Sequence, residues 1–377
     1  MLGYSGWLWT VVFVLVACGS NPPEEEKEDS GADTEVTDID TSDTDTQSPA
    51  DGRFSEHVLP QSIRNGGYMD STFINKAGDR IYFLHSIFSP SVLDGRSAQA
   101  DCSHVEATLL PGHISTPGLE WTTDLYFVQW NGQVWSEPVN LGAPVNTMGM
   151  ECCMWLNEDE TEIIYNTLSD LDGDGVDGDL GLPPTGNYRA TRADRDSAWS
   201  DPVALPGEYG IEGQGEVALW RNDIEKVPSG NLYLWERTLA GENLLVFGER
   251  NGGTYDEPTY APPVNIDGTT HSETQVWVNE SETRLVFNHR QDDGETELYT
   301  RERASASQAW GASETVSTTG FADPAGNNVW GEPSFDATES FMFFTRFDTS
   351  DADCWTPDLM VSFGDVEAGF SDPIVLN

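Results

Sequence analysis

The stretch from residue 53 to residue 377 repeats one order of apolar and polar positions, and each repeat predicts four short strands. The first strand of a repeat starts near an acidic residue that large apolar residues mostly follow three and four positions later. The second strand is apolar and alternating, and the five copies lie at residues 81–84, 163–165, 232–234, 285–287 and 341–344. A third apolar segment follows, ending in a short turn such as Trp130-Asn-Gly132.

A four-residue motif marks the fourth strand: an aromatic residue, any residue, an acid and a proline. The copies begin at Trp135, Trp199, Tyr255 and Phe370, with a degenerate copy at Trp310, and successive starts are 64, 56, 55 and 60 residues apart. This period is typical of a solenoid or a propeller. Because stacked blades bury each other's faces and a closed ring removes sheet edges, we predict an all-β, five-bladed propeller of four-stranded antiparallel blades.

The segment Phe54-Ser-Glu-His-Val-Leu59 looks like a further copy of the outermost strand. It predicts either a clasp that closes a five-bladed ring or the start of an incomplete sixth blade. We favour five blades.

The motifs of the first repeat resemble the TolB-type β-propeller repeats of bacterial envelope proteins. The residues that carry the resemblance are Asp124-Leu-Tyr126, Trp135-Ser-Glu-Pro-Val-Asn-Leu141 and Val145-Asn-Thr147, and it extends over residues 54–377. The resemblance implies a binding platform, often without enzymatic activity, and implies no particular ligand. The family places proline after the inner-strand acid, a position filled here by Cys152, Val217, Thr274 and Pro333.

The amino terminus predicts export. Residues 7–17 form an apolar run too short to span a bilayer, as expected for the core of a signal peptide over residues 1–17. The run ends in Leu15-Val-Ala-Cys18, which resembles a bacterial lipobox and implies acylation of Cys18, although no basic residue precedes the run. The alternative is an ordinary signal peptide with an incidental cysteine. Three acyl chains would anchor the protein stably.

Residues 18–52 predict a disordered acidic tether between anchor and propeller. Residues 19–52 hold 12 acidic residues and one basic residue with almost no apolar ones, so the segment cannot bury enough surface to fold. Gly19 and Ser20 after the cysteine resemble the sorting signal of enteric outer-membrane lipoproteins. The sequence leaves open whether the protein faces the periplasm or the cell surface.

The charge balance excludes one class of partner. The chain holds 65 acidic against 18 basic residues, a formal net charge of −47. Recognition of nucleic-acid phosphates needs a basic surface, so we expect no nucleic-acid partner. We expect a monomer whose partner is an envelope protein or glycan.

An aspartate-rich loop in the second repeat predicts a calcium site. In Asp170-Leu-Asp-Gly-Asp-Gly-Val-Asp-Gly-Asp179, acids stand at positions 1, 3 and 5 and glycine at position 6, which is the start of a calcium loop. The bidentate glutamate of an EF-hand is missing. The alternative is an unliganded acidic turn. The predicted ligands are Asp170, Asp172, Asp174, the carbonyl of Val176, Asp177 and Asp179.

One acidic residue per repeat stands near the start of the predicted inner strand. Side by side at the channel mouth, these acids would concentrate negative potential and favour a cationic ligand. The competing interpretation, which we weigh more heavily, is that each carboxylate accepts hydrogen bonds from its own inter-blade turn. The five are Asp70, Glu151, Glu216, Glu273 and Glu332.

Four cysteines follow Cys18, and an exported protein is expected to form disulfides. The predicted topology brings all four to the face that carries the long loops. Cys102 can then pair with Cys152, with Cys153 or with Cys354, and the sequence does not decide between them. A second hypothesis is a zinc site formed by Cys102, His104, Cys152 and Cys153.

The sequence leaves three classes of function open: a binding platform, a glycosidase, and a structural envelope component with no discrete ligand. We expect Trp155, Trp220 and Trp277 to pack between blades, whereas Trp121, Trp330 and Trp355 are either structural or sugar-stacking. No serine-hydrolase elbow, zinc-protease motif or phosphate loop is present. We therefore favour a non-enzymatic platform whose loop-rich face binds an envelope component. The alternative is a calcium-supported glycosidase that uses carboxylates at the channel mouth.

Overall fold

The computed structural model is almost entirely β-structure. It describes residues 52–64, 67–87, 108–114, 122–169, 181–210, 220–237, 243–252, 254–256, 259–260, 272–290, 296–318, 321, 328–348 and 356–377. One short helix, α1 (Gln61–Arg64), and a 3-10 turn at Gly207–Tyr209 are its helical elements within these ranges. Nowhere in this part of the chain does a helix have the length and apolar character needed to cross a bilayer.

The first two blades are separate four-stranded antiparallel sheets, each with its strands in chain order from the centre outward. Blade 1 comprises β1 (Tyr68–Ile74), β2 (Arg80–Ser86), β3 (Asp124–Gln129) and β4 (Val139–Asn140). Blade 2 comprises β5 (Met150–Leu156), β6 (Glu162–Leu168), β7 (Gly186–Thr191) and β8 (Val203–Ala204).

The other three blades repeat this arrangement, and one parallel pair, Asn243 with Ser272, joins blades 3 and 4. Blade 3 comprises β9 (Trp220–Lys226), β10 (Leu232–Arg237), β11 (Asn243–Gly248) and β14 (Thr259–Tyr260), with the hairpin β12 (Arg250–Asn251) and β13 (Thr254–Tyr255) beside it. Blade 4 comprises β15 (Ser272–Val278), β16 (Arg284–Arg290), β17 (Thr296–Glu302) and β18 (Glu314–Val316). Blade 5 comprises β19 (Asn328–Phe335), β20 (Phe341–Asp348), β21 (Thr356–Asp365) and β23 (Ile374–Val375), with the short β22 (Gly369–Phe370) beside β21.

The predicted five-bladed architecture is therefore confirmed. The outermost strands are only two or three residues long and begin after the proline where the motif has one. The aromatic residues of the motif come before these strands and are buried where they are Trp135 and Trp199. The Arg192 guanidinium lies 4.0 Å from the centre of the Trp199 ring.

The amino-terminal segment acts as a clasp and not as a sixth blade. The amides of His57 and Leu59 donate to the carbonyls of Val375 and Leu376, at 2.8 and 2.9 Å, so the segment extends the outer edge of blade 5. Phe54 is fully buried. Its ring centroid lies 4.8 Å from that of Phe341, in blade 5. The segment thus fixes blade 5 beside blade 1.

The hairpins between first and second strands lock neighbouring blades on the face opposite the long loops. Glu160 has a left-handed backbone, with φ of 55°, and its carboxylate accepts a hydrogen bond of 2.7 Å from Asn75 of blade 1. The same carboxylate pairs with the buried Arg80 at 3.2 Å. In the equivalent hairpins Glu282 contacts Ser229 and Glu339 pairs with Arg284, so one device recurs around the ring.

Candidate functional site: the central channel

Each inner strand carries a β-bulge at the propeller axis. In blade 1, Asp70 pairs with Leu84 and Phe73 pairs with Tyr82, so Ser71 and Thr72 stand unpaired opposite one residue. The same register shift occurs in β5, β9, β15 and β19. A bulge turns side chains away from regular alternation, and Ser71, Cys153, Gln275 and Glu332 line the axial cavity. The first bulged residues are Ser71, Cys153, Asp223, Gln275 and Glu332.

Four of these residues adopt left-handed backbones without being glycine. The φ angles of Ser71, Cys153, Gln275 and Glu332 lie between 52° and 60°. A non-glycine residue in this region costs of order 1 kcal/mol, so surrounding contacts must hold it.

Side chains of the bulged residues supply contacts that offset this cost by joining one blade to the next. Gln275 accepts from the amide of Glu332 at 2.9 Å, and Glu332 accepts from the amide of Thr72 at 2.9 Å. Ser71 then accepts from the amide of Cys153 at 2.8 Å. A line of hydrogen bonds therefore runs from blade 4 through blades 5 and 1 to blade 2. It satisfies backbone donors that the bulges leave outside the sheet ladders.

A cavity lies on this axis and is lined by residues from all five inner strands. Its volume is about 430 Å³, including the space that opens to solvent. The wall combines polar and acidic groups with sulfur and aromatic surface. The lining residues that matter below are Ser71, Cys153, Glu225, Gln275, Trp277 and Glu332.

Asp70 and Glu332 form a carboxyl pair at the edge of this cavity. Asp70 is buried, and burial raises the pKa of its carboxyl, while hydrogen bonds with Glu332 and Tyr68 act in the opposite direction. Two carboxyl groups in direct contact cannot both ionise without strong repulsion, so the pair holds a proton. The two catalytic carboxyl groups of a glycoside hydrolase stand roughly 5–9.5 Å apart. The hydrogen-bonded carboxyls of Asp70 and Glu332 are closer together than that.

Glu151 is a structural residue of blade 2. Its side chain is fully buried and accepts hydrogen bonds from the Thr147 amide (3.1 Å), the Thr147 hydroxyl (2.5 Å) and the Thr167 hydroxyl (3.1 Å). Burial raises its pKa to about 8. Glu151 therefore fits the interpretation in which the acid accepts hydrogen bonds within its own blade. It is not among the residues that line the channel cavity.

The predicted channel-mouth acids do not share one position relative to the bulges. Relative to the bulge, Asp70 stands one residue before it, Glu151 and Glu273 stand two residues before it, and Glu332 lies inside it. The acid-to-bulge spacing differs because the repeats align on the bulge and not on the acid. The fifth acid, Glu216, falls outside the described residues.

Glu225 is a channel acid that the sequence did not single out. It lies two residues after the first bulged position of β9, where blades 2 and 4 carry Trp155 and Trp277. Burial raises its pKa to about 8, with the charge of Lys76 and the Trp155 side chain acting in the opposite direction. Glu225 is therefore largely protonated at neutral pH.

The cysteine pairing is a correction. Cys152 is bonded to its neighbour Cys153, a pairing that was not among the alternatives with Cys102 that the sequence left open. Adjacent side chains of a regular strand point to opposite faces, but the bulge at Cys153 breaks this alternation and lets both sulfurs meet. The bonded sulfurs leave no thiolate for the hypothetical zinc site, and no metal-binding cluster of three or more residues occurs among the described residues.

The motif residues that carry the resemblance hold the loop-rich face together. Asp124 is fully buried and accepts hydrogen bonds from Ile114 and Asn140, at 2.7 and 2.6 Å. Asn146 bonds both Asn140 and the backbone of Leu125. Burial raises the pKa of Asp124 to about 7, so this motif is a buried polar network and not an exposed site.

The start of blade 1's third strand meets the start of blade 2's first strand. The Thr123 hydroxyl donates to the Glu151 carbonyl at 2.6 Å. Long loops before third strands therefore share a face with the inner-strand starts, as the strand order predicts. His113 lies here too, 3.6 Å from Asp124, and burial lowers its pKa to about 4.

The predicted tryptophans have different positions in the structure. Trp155 and Trp277 are buried in core clusters, and Trp330 is likewise buried, which is the structural alternative for that residue. Trp220 does not occupy the position of Trp155, because β9 begins at Trp220. Trp121 and Trp355 lie outside the described residues.

Several predicted sites also lie outside the described residues. They are the lipidation residue Cys18, the calcium loop from Asp170 to Asp179, the cysteines Cys102 and Cys354, and His104.

Ser71, Gln275 and Glu225 carry no motif of their own. Only an alignment of the five repeats on their bulges would have singled them out, and the varying acid-to-bulge spacing hides that alignment.

No protein-family model matches the chain, and no curated protein matches it. Solved structures do show similarity. A protein of unknown function from Dyadobacter fermentans is 12% identical, with a TM-score of 0.44 and 86% of each chain covered. The α-L-arabinofuranosidase of Podospora anserina, in complex with cellotriose, is 12% identical, with a TM-score of 0.45, covering 81% of this chain and 95% of its own. A protein described as TolB from Agrobacterium tumefaciens is 11% identical, with a TM-score of 0.35, covering 64% of this chain and 65% of its own.

Proposed function

We propose that this protein is an exported, lipid-anchored β-propeller that binds a protein or a polymer of the bacterial envelope without cleaving it. The binding surface is the loop-rich face around the channel mouth. The observation that carries the non-enzymatic assignment is the state of Glu151. This acid was a candidate for channel chemistry, yet it is fully buried and makes three hydrogen bonds within blade 2.

The placement of the long loops supports the choice of face. Residues 87–123 connect the second strand to the third in blade 1, and residues 169–185 do so in blade 2; such connections emerge beside the inner-strand starts. Loops on a rigid scaffold are the usual location of binding sites. Calcium bound by the loop from Asp170 to Asp179 would stiffen this face.

The anchor and tether follow from the amino-terminal sequence. Acylation at Cys18 would hold the protein at the outer membrane, and residues 19–52 would space the propeller from it. The net charge of −47 favours a ligand with cationic groups, because a strongly negative surface raises the local concentration of cations.

The test is binding of the full chain, in detergent with calcium, to defined envelope polymers and to solubilised envelope proteins. We expect one component to be retained stoichiometrically, and trimming residues 88–107, which leaves the buried Leu110 and the Ile114 contact with Asp124 in place, to abolish retention. The matched control is Val134→Asp, which adds a charge to an exposed turn on the opposite face. Equal retention by the trimmed variant and the wild type would contradict this choice of binding face.

A glycosidase is the second candidate, and one observation favours it. Glu225 and Glu332 line the same cavity, and Glu225, with its pKa of about 8, can serve as a proton donor at neutral pH. Glycoside hydrolysis requires two carboxyl groups, one of them protonated, and this cavity contains two acidic residues of which Glu225 is protonated at neutral pH. This candidate predicts release of reducing ends from a polysaccharide, lost on Glu225→Gln or Glu332→Gln and kept in the exposed control Glu158→Gln.

A further inference from the structure

The disulfide between Cys152 and Cys153 lies in the wall of the channel. Cys152 is 3% exposed and packs into the core of blade 2, whereas Cys153 lines the axial cavity. The two sulfurs therefore differ in access. Cys153 is partly buried and forms part of the cavity wall, whereas Cys152 is covered by the blade.

This disulfide contributes little as a covalent staple. A disulfide stabilises mainly by closing a loop in the unfolded chain, and the gain grows with the number of residues enclosed. Cys152 and Cys153 are adjacent, so their bond encloses the smallest loop that two cysteines can form. Conformation at this bulge is also held by the hydrogen bond from the Cys153 amide to Ser71. Its position in the cavity therefore matters more than its contribution to folding.

We propose that the Cys152–Cys153 disulfide is a reversible thiol–disulfide exchange site, reached through the central channel by small thiols that are not anionic. A thiolate attacks the sulfur of Cys153, forms a mixed disulfide there and releases Cys152 as a thiolate that takes up a proton. A second thiol molecule attacks the sulfur of the first and releases Cys153. Two thiols are oxidised to one small-molecule disulfide, and their two protons end on Cys152 and Cys153.

The charge of the channel sets which thiols react. Glu332 lines the cavity together with Cys153, and the whole chain carries a formal charge of −47. A negative potential in a narrow opening concentrates cations and repels anions, and such steering changes association rates by tenfold or more. The site therefore selects a cationic thiol over an anionic thiol of equal size.

The experiment compares cysteamine with 2-mercaptoethanesulfonate on the native full chain in detergent, at low and high salt. Reduced cysteines are alkylated, and mass spectrometry of the peptide that contains Cys152 and Cys153 gives the rate. Each rate is divided by the rate of the same thiol with an exposed small-molecule disulfide, which removes the difference in thiolate fraction. We expect the normalised rate of cysteamine to be about tenfold higher at low salt, with a difference that shrinks as salt screens the charges. The variant Glu332→Gln keeps an acceptor for the Thr72 amide but removes the charge. It should reduce the difference between the rates of the two thiols.

Two results would overturn the proposal. One is reduction of the pair only in denaturant, which would mean that the channel gives no access. The other is equal normalised rates for the two thiols at low salt, which would mean that reduction does not proceed through the acidic channel. If Glu332→Gln does not fold, the dependence of the two rates on salt still tests whether charge in the channel selects the thiol.

Discussion

The amide of Cys153 donates a hydrogen bond of 2.8 Å to the hydroxyl of Ser71, and this bond joins the bulge of blade 2 to the bulge of blade 1. Both residues have left-handed backbones. Ser71→Ala leaves the amide without this acceptor. We expect a loss of about 1–3 kcal/mol in the free energy of unfolding, measured by urea denaturation. Ser55→Ala, at an exposed position, is the matched control, and equal effects would contradict a structural role for Ser71.

Gly331 makes room for the side chain that caps the next bulge. A Cβ at this position would collide with the Gln275 side chain, which accepts from the Glu332 amide. We expect Gly331→Ala to destabilise the protein by about 1–3 kcal/mol through overpacking. In a Gln275→Ala background the collision disappears, so the same substitution should cost clearly less. Additive effects in this double-mutant cycle would contradict the contact.

The amino-terminal clasp should contribute measurably to stability. Phe54 is fully buried against Trp135, Phe341 and Phe363, which belong to blades 1 and 5. We expect Phe54→Ala to cost about 3–5 kcal/mol and Phe54→Leu clearly less, by thermal or chemical unfolding. If Phe54→Ala has no effect, the segment does not close the ring.

Stability should fall as pH rises from about 5 to 8. Burial raises the pKa of Glu151 and Glu225 to about 8 and that of Asp124 to about 7, far above the usual value near 4 for unfolded carboxyls. The folded protein therefore binds more protons than the unfolded chain in this window. Each group lowers the free energy of unfolding by up to about 1.4 kcal/mol per pH unit. Glu151→Gln should flatten the curve, and a wild type that gains stability toward pH 8 would contradict these assignments.

Calcium should stabilise the folded protein if the loop from Asp170 to Asp179 binds it. Binding to the native state alone raises the melting temperature with ligand concentration. We expect a chelator to lower the melting temperature of the wild type and to have no effect on an Asp172→Asn, Asp174→Asn double variant. A wild-type melting temperature that does not respond to chelator would contradict the calcium prediction.

The blade architecture could be predicted from sequence because its signals are local. Strand alternation and the motif at Trp135 recur at a nearly constant period, and each strand pairs with its chain neighbour. The turn at Asn131 and Gly132 was likewise recognisable from residue type.

The channel could not be predicted because its geometry depends on bulges. A bulge adds one residue without a sequence signature, so the position of Glu332 relative to Asp70 is invisible until the strands are paired. The same cause hid the Cys152–Cys153 disulfide, since adjacent cysteines in a regular strand would point apart. Burial of Glu151 depends on Thr147 and Thr167, which only the folded blade brings together.

The most direct test of the non-enzymatic assignment follows the fate of a retained envelope polymer. The full chain is incubated with the polymer at neutral pH, the bound fraction is eluted, and its chain length is compared with that of the starting material. We predict an unchanged length together with retention that depends on residues 88–107. A polymer that the wild type shortens and that the Glu332→Gln variant leaves at full length would contradict the binding-platform account. It would establish a hydrolase instead.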